Sequence, residues 1–214
     1  MRLTLYYAPQ TCALVPYVTF TEAGAEFDVR PINTRNGDNR KPEFLKINPK
    51  HKVPVLLIDG EPLTENIAIQ IWIHRNFPAA KLLPEAPRED IKAISLMSFC
   101  GSGIHPHLTP NARPQNYCDL PGSEESVKRV AKMLLFDDLK IIDDMLAGRE
   151  WFFSHFTACD AYFFWCFRRG LSFGLDLSEF RNCTAHFERM QQRASVKKVV
   201  AYEKQVLEAF ARAA

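Results

Sequence analysis

The chain has 214 residues, 47% of them hydrophobic and 24% charged, a balance found in globular proteins and at odds with disorder. With 27 basic against 25 acidic residues the formal charge is only +2, which gives no electrostatic basis for binding nucleic acid or an anionic membrane. The six cysteines contain no C-x-x-C pair, and a chain this long needs no disulfide staples, so the expectation is reduced thiols in the cytoplasm.

Residues 3 to 21 carry no formal charge, but Pro9, Gln10, Pro16 and several threonines interrupt them; a spanning helix needs roughly 20 mainly apolar residues. They read as a strand followed by a helix. "RLTLYYAP" is β-branched and aromatic and stops at Pro9, as a short buried strand does. Thr11 can cap a helix running to about Ala23 and ended by Gly24, with Pro16 near its first turn. "AEFDVRPI" is a second strand and "KPEFLKI" a short helix after a polar loop. "VPVLLIDGEPL" gives two short strands around Asp59 and Gly60, a dipeptide suited to a tight hairpin. Pro62 assigns the second of these strands to a sheet edge. Thr64 and Glu65 open a helix that Pro78 closes.

The order through residue 77 is therefore βαβαββα. Residues 79–88, with Pro84 and Pro87, read as a linker, and everything from 89 to 214 as helix. In the segment 123–148, Val127, Val130, Leu134, Ile141 and Met145 recur at helical spacing, Ser123 is the candidate cap and Gly148 the stop. A βαβαββα unit over 1–78 followed by an all-helical domain over 89–214 suggests an α/β plus all-α chain, thioredoxin-like at its N-terminus. Such a fold does not by itself fix the chemistry.

Three features carry candidate chemistry. Cys12 falls where the first helix is expected to begin. Unpaired N–H groups and the helix dipole there favour an anion, and can lower a thiol pKa by about a unit or more. Cysteine is equally a common core residue, so a structural reading stays open on this feature alone. In "HKVPVLL", a proline directly before a strand can adopt a cis peptide that turns the Val53 N–H and C=O toward an extended ligand. In "LTENIAI", a helix start offers N–H groups to a carboxylate while Glu65 accepts from an ammonium; ordinary capping is the alternative.

Taken together, "YYAPQTCAL", "NPKHKVPVL", "LTENIAIQ" and "FTACDAYFFW" resemble the cytosolic glutathione transferases, and most of all the bacterial Beta class. That class has a Y-x-P-x-x-C-S-L-like start, N-P-K-G-Q-V-P-A-L, L-T-E-G-x-A-I and F-T-x-A-D-A-Y-L-F at similar intervals. The resemblance implies that Val53, beside cis-Pro54, pairs with the cysteinyl part of glutathione. Glu65 and Asn66 would hold the γ-glutamyl end, Lys52 would reach the peptide's carboxylate end, and Cys12 would lie beside the glutathione sulfur. "GSGIHPHLTP" matches the class's E-L-H-K-x-F-x-P segment and makes His105 the histidine that approaches the cysteine; His107 has no such support. Thr157 and Asp160 match a buried capping box and are structural. Tyr6 and Tyr7 are read as core or pocket lining.

The chain departs from the class pattern at His51 and Lys52, at Asn66, at Pro106 and at Arg169, which stands where an aromatic residue can occur. The reading that results is a cytoplasmic, homodimeric glutathione transferase of the detoxification type. It would use glutathione as cosubstrate and no metal, and would take a small apolar electrophile in a pocket to which Tyr162 and Arg169 contribute. A glutathione-dependent disulfide oxidoreductase working through Cys12, and a non-catalytic binding module of the same fold, are the rivals.

Overall fold

The computed structural model describes residues 1–213, which form two compact units: residues 1–83 together with the chain from 191 onward, and residues 84–190. In the first unit a four-stranded sheet has the order β2-β1-β3-β4, with β1 Leu3–Tyr7, β2 Asp28–Pro31, β3 Val55–Ile58 and β4 Glu61–Thr64. β1 is parallel to β2 and antiparallel to β3, and β3 is antiparallel to β4. Every residue of β1 is buried, as a central strand made of Leu, Thr and Tyr requires. The β3–β4 hairpin turns at Asp59 and Gly60, both at positive φ, the backbone that a type I′ turn needs. Pro62 lies on the edge strand, where its missing N–H costs no ladder bond.

Helices α1 (Leu14–Glu22), α2 (Pro42–Leu45) and α3 (Asn66–Asn76) complete the βαβαββα order expected from the sequence. Buried residues run continuously from Leu14 to Phe20 in α1, which packs against β1, α3 and the C-terminal helix α9 (Ala194–Arg212). The sequence reading assigned residues 191–214 to the helical domain; the chain from 191 onward instead packs with the N-terminal unit. Three observations show why. The rings of Tyr7, Tyr17 and Tyr202 pack against one another with centroids 5.4–5.9 Å apart. Glu22 at the end of α1 receives two hydrogen bonds from Arg193, at 2.9 and 2.7 Å, and one from Ser195. Glu203 accepts from Tyr7 of β1.

The second unit is helical: α4 Pro87–Phe99, a π-helical turn Cys100–Ile104, α5 His105–Ala112, α6 Glu124–Leu146, α7 Ala158–Ser172 and α8 Arg181–Gln192. α4 starts at Pro87, a first-turn position that tolerates proline. α7 is buried on all sides from Ala158 to Phe167, and its start is held by the reciprocal Thr157–Asp160 capping box. The Asp160 carboxyl group also receives the Phe152 N–H at 3.2 Å and lies 3.0 Å from Nε2 of His186, so both of its buried oxygens have hydrogen-bond partners.

One local expectation fails in α6, and one point the spacing left open is decided there. Ser123 occupies the N-cap position but makes no side-chain capping bond. The helix buries Ala131, Leu135, Leu139, Ile142 and Leu146, while Val130, Leu134, Ile141 and Met145 are exposed, Ile141 at 51%. α6 is apolar on two faces, and its spacing gave the helix without saying which face is covered.

Candidate active site

Cys12 sits in the turn that leads from β1 into α1. The Thr11 hydroxyl donates to the Ala8 carbonyl at 2.7 Å and accepts the Ala13 N–H at 3.3 Å. The bonds Leu14 N–H to Thr11 O and Val15 N–H to Cys12 O each span three residues, so regular α-helix begins only at Leu14. Cys12 therefore precedes the helix instead of being its first residue. It is 8% exposed, and its thiol donates to the Val53 carbonyl at 3.7 Å.

This burial reverses the expected ionisation. Desolvation pushes the Cys12 thiol up to about 12. A backbone hydrogen bond, the Asn66 amide and the charge of Lys52 oppose the rise, while the charge of Glu65 adds to it. A helix start contributes a few tenths to about one kcal/mol to an anion, whereas a fully buried ionisable group can shift by 3–5 units. Burial wins, and the thiol is protonated at neutral pH.

The loop that carries Val53 is pinned by buried amides. Asn48 Nδ2 donates to the Lys52 carbonyl at 2.8 Å and Asn48 Oδ1 accepts the Lys50 N–H at 3.2 Å, while Asn39 Nδ2 donates to the His51 carbonyl at 2.8 Å. His51 takes φ +48°, a left-handed conformation, at the position where the class pattern has glycine. The Val53–Pro54 peptide is cis, and β3 follows directly.

Glu65 lies across from this loop at the N-cap of α3 with φ +70°, and its side chain makes no capping bond. Such a backbone costs a non-glycine residue about 1–3 kcal/mol and is characteristic of functional sites. Lys50 ion-pairs with the Glu65 carboxylate and donates to the Thr64 hydroxyl. Glu65 thus accepts a primary ammonium, as an amino-acid ligand would require.

Asn66 differs from its expected role. Its side chain is buried and faces inward: Nδ2 donates to the Cys12 carbonyl at 2.9 Å and Oδ1 accepts from Nε2 of Gln70 at 3.2 Å. Only its backbone N–H remains for a ligand carboxylate. The structure thus joins Cys12, Val53 and Asn66 by direct bonds, with Glu65 and Lys52 near enough to bias the thiol. Sequence reasoning missed Glu203, whose buried carboxylate accepts the Gln10 N–H at 2.7 Å and so anchors the Cys12 turn from its N-terminal side. No local motif marks that residue; only its burial on α9 does.

The remaining candidates lie in the second unit. His105 is the first residue of α5, and its ring packs edge-on against Trp165 at 4.5 Å. Tyr162 is buried on α7, 6.2 Å from Trp165 between ring centroids. The Arg169 guanidinium lies over Phe173 at 4.3 Å and donates to the Ser172 hydroxyl at 3.3 Å, following its own helix. His107, set aside on sequence, pairs through Nδ1 with Asp138 at 2.6 Å. Among the described residues no group of three or more His, Cys, Asp or Glu side chains could hold a metal ion, and no helix is long and apolar enough to cross a membrane.

Residues 1–75 match the family model of the glutathione S-transferase N-terminal domain. Glutathione S-transferase GstA of Escherichia coli O157:H7 is 30% identical over 211 residues, which cover 94% of this chain and 98% of that protein. The beta class glutathione S-transferase of Sphingomonas chungbukensis superposes with a TM-score of 0.83 at 32% identity, over 94% of this chain and 98% of that one. A sphingomonad glutathione S-transferase solved in complex with glutathione gives the same TM-score at 29% identity and the same coverage. Because the identity to the Escherichia coli enzyme extends over both units and not only over the matched N-terminal domain, the chain belongs to the glutathione S-transferase family.

Proposed function

We propose that this glutathione transferase binds glutathione in its first unit, over residues 1–78, and joins the glutathione sulfur to a small apolar electrophile. After the 79–88 linker, the helical part of 89–214 would supply the electrophile pocket, with Tyr162 and Arg169 among its residues and His105 as the histidine that serves the sulfur chemistry. The carrying observation is that the Cys12 thiol, the Val53 carbonyl and the Glu65–Asn66 helix start are tied together within one unit. Val53 offers backbone groups to the cysteinyl part of the tripeptide, Glu65 accepts its ammonium, the Asn66 N–H meets its α-carboxylate, and Lys52 serves the glycyl carboxylate.

The high pKa of Cys12 favours one role over another. A protonated thiol is a hydrogen-bond donor, suited to hold the thiolate of bound glutathione. The bound glutathione thiol gives its proton to solvent, and the thiolate then attacks the electrophile: the sulfur–carbon bond forms and the leaving group departs with its electron pair. Alignment of the two reactants contributes to the rate by making the attack effectively unimolecular. Disulfide chemistry that needs a Cys12 thiolate is the weaker reading, because thiolate is the attacking form.

We further infer a homodimer, supported by the exposed apolar face of α6 at Val130, Met133, Leu134, Ile141 and Met145, and a cytoplasmic location, supported by six free cysteines. Light scattering after gel filtration, with Ile141→Asp as the variant expected to give monomer, tests the first.

Calorimetric titration with glutathione, beside conjugation and disulfide-reduction assays, tests the main reading. Glu65→Ala is expected to weaken binding by roughly 1–3 kcal/mol, the range of a lost charge-assisted hydrogen bond. Unchanged affinity would remove Glu65 from the site. Disulfide reduction without conjugation would favour the oxidoreductase.

A further inference from the structure

Glu65 stands at the N-cap of α3 with φ +70°, yet its carboxylate makes no capping bond. It is held instead by Lys50, whose Nζ ion-pairs with it and donates to the Thr64 hydroxyl at 2.8 Å. The hairpin brings the two residues together: Val55 pairs with Thr64 across β3 and β4, so the loop that leads into β3 runs beside the residue that follows β4. Asn48, 1% exposed, accepts the Lys50 N–H at 3.2 Å and donates to the Lys52 carbonyl at 2.8 Å, which fixes the backbone from which the lysine reaches. A lysine head and the ammonium of an amino-acid ligand are both compact groups with one positive charge and three donors. Each satisfies the same carboxylate.

We propose that Lys50 is a specificity-determining residue of the site: it occupies the ammonium position on Glu65 in the ligand-free protein, and the ligand's ammonium has to take its place. The proposal deepens the glutathione transferase reading above and rests on its assignment of the γ-glutamyl ammonium to Glu65. Binding is weakened by the share of molecules in which Lys50 holds Glu65, since only the rest are competent to receive an ammonium. A peptide without that ammonium leaves the Lys50 pair in place and loses nothing to it, so the lysine narrows the preference of the site for ligands that carry an α-amino group. Both side chains are exposed, Lys50 at 48% and Glu65 at 69%, and exposed ion pairs are weak. The exchange therefore tunes affinity by a small factor and does not block the site.

The test is calorimetric titration with two peptides: glutathione, and glutaryl-cysteinyl-glycine, which is glutathione without its ammonium. Lys50→Met, which keeps a long unbranched side chain but not its charge, is expected to bind glutathione about two- to fivefold more tightly, the scale of an exposed ion pair, with no gain for the glutaryl peptide. Lys50→Arg, whose guanidinium still pairs with a carboxylate, is expected to show no such gain. A lysine that only attracts the anionic peptide, or only holds the loop, predicts the opposite sign, because its loss then weakens glutathione binding. Unchanged or weaker glutathione binding in Lys50→Met, an equal gain for both peptides, or an equal gain in Lys50→Arg overturns the proposal. Absence of glutathione binding to the unaltered protein removes the glutathione reading and this proposal with it, an outcome distinct from binding that Lys50→Met leaves unimproved.

Discussion

The Tyr7 phenol donates to the Glu203 carboxylate at 2.9 Å, and the same carboxylate oxygen accepts the Gln10 N–H at 2.7 Å. Glu203 is 3% exposed, and a carboxylate so placed is tolerated only with donors around it. These bonds fasten the C-terminal helix α9 to the last residue of β1 and to the turn that carries Cys12. Glu203→Ala removes the buried carboxylate that both bonds share and is expected to cost roughly 2–4 kcal/mol, measured by urea unfolding. Glu203→Gln keeps an acceptor and is expected to cost less. A loss below about 1 kcal/mol in the alanine variant would show that the bonds add little to folding.

The Glu22 clasp sets an acid limit on stability. Burial alone would raise the Glu22 pKa, but the hydrogen bonds from Arg193 and Ser195 and the charge of Arg193 outweigh it and hold the carboxyl below its ordinary value. A group whose folded pKa is depressed stabilises the protein above its unfolded pKa, about 4.3, and this contribution is lost as pH falls through the folded pKa. Thermal melts are expected to show Tm falling over that acid interval, and Arg193→Ala is expected to flatten the fall. An identical pH profile in the variant would exclude the clasp as its source.

His51 stands in the left-handed region, which costs an L-residue roughly 1–2 kcal/mol. His51→Gly relieves this but gains unfolded-chain entropy worth about 0.4–1 kcal/mol, so a net stabilisation of about 0.5–1 kcal/mol is expected. Chemical denaturation reads it directly. A destabilised variant would mean that the imidazole makes a contribution larger than the backbone cost.

The cysteines are expected to react in a definite order. Cys118 is partly exposed, and the nearby Ser123 hydroxyl and Leu120 backbone lower its pKa. Cys12 is pushed up to about 12 by burial, and Cys159 and Cys183 are raised by the same cause. Labelling at neutral pH followed by peptide mapping is expected to find Cys118 modified first and Cys12 only as the solution becomes alkaline. Cys12 reacting first would mean that its turn opens readily in solution.

What the sequence by itself determined was whatever depends on neighbours along the chain. The βαβαββα order, the Asp59–Gly60 turn and Pro62 on an edge strand follow from short-range rules of backbone geometry and hydrogen bonding, and the Thr157–Asp160 capping box came from the family resemblance. The site motifs each sit where a strand or helix begins or ends, but it was their combined resemblance to one family, and not any of them alone, that marked Cys12, Val53–Pro54 and Glu65 as a site. Only the tertiary structure decided the energetics. Local position gave Cys12 a favourable helix start, but the segments folded around it remove water and raise its pKa. Asn66 stands at a helix start facing a ligand site, yet Cys12 and Gln70 draw its side chain inward. Periodicity defined α6, yet which apolar stripe is covered depends on packing partners far away in the chain. α9 packs with the N-terminal unit through Glu203, Arg193 and Ser195, bonds that span 171 to 196 residues of sequence. Burial and long-range pairing are properties of the assembled chain, and they fix which of the locally permitted roles each residue takes.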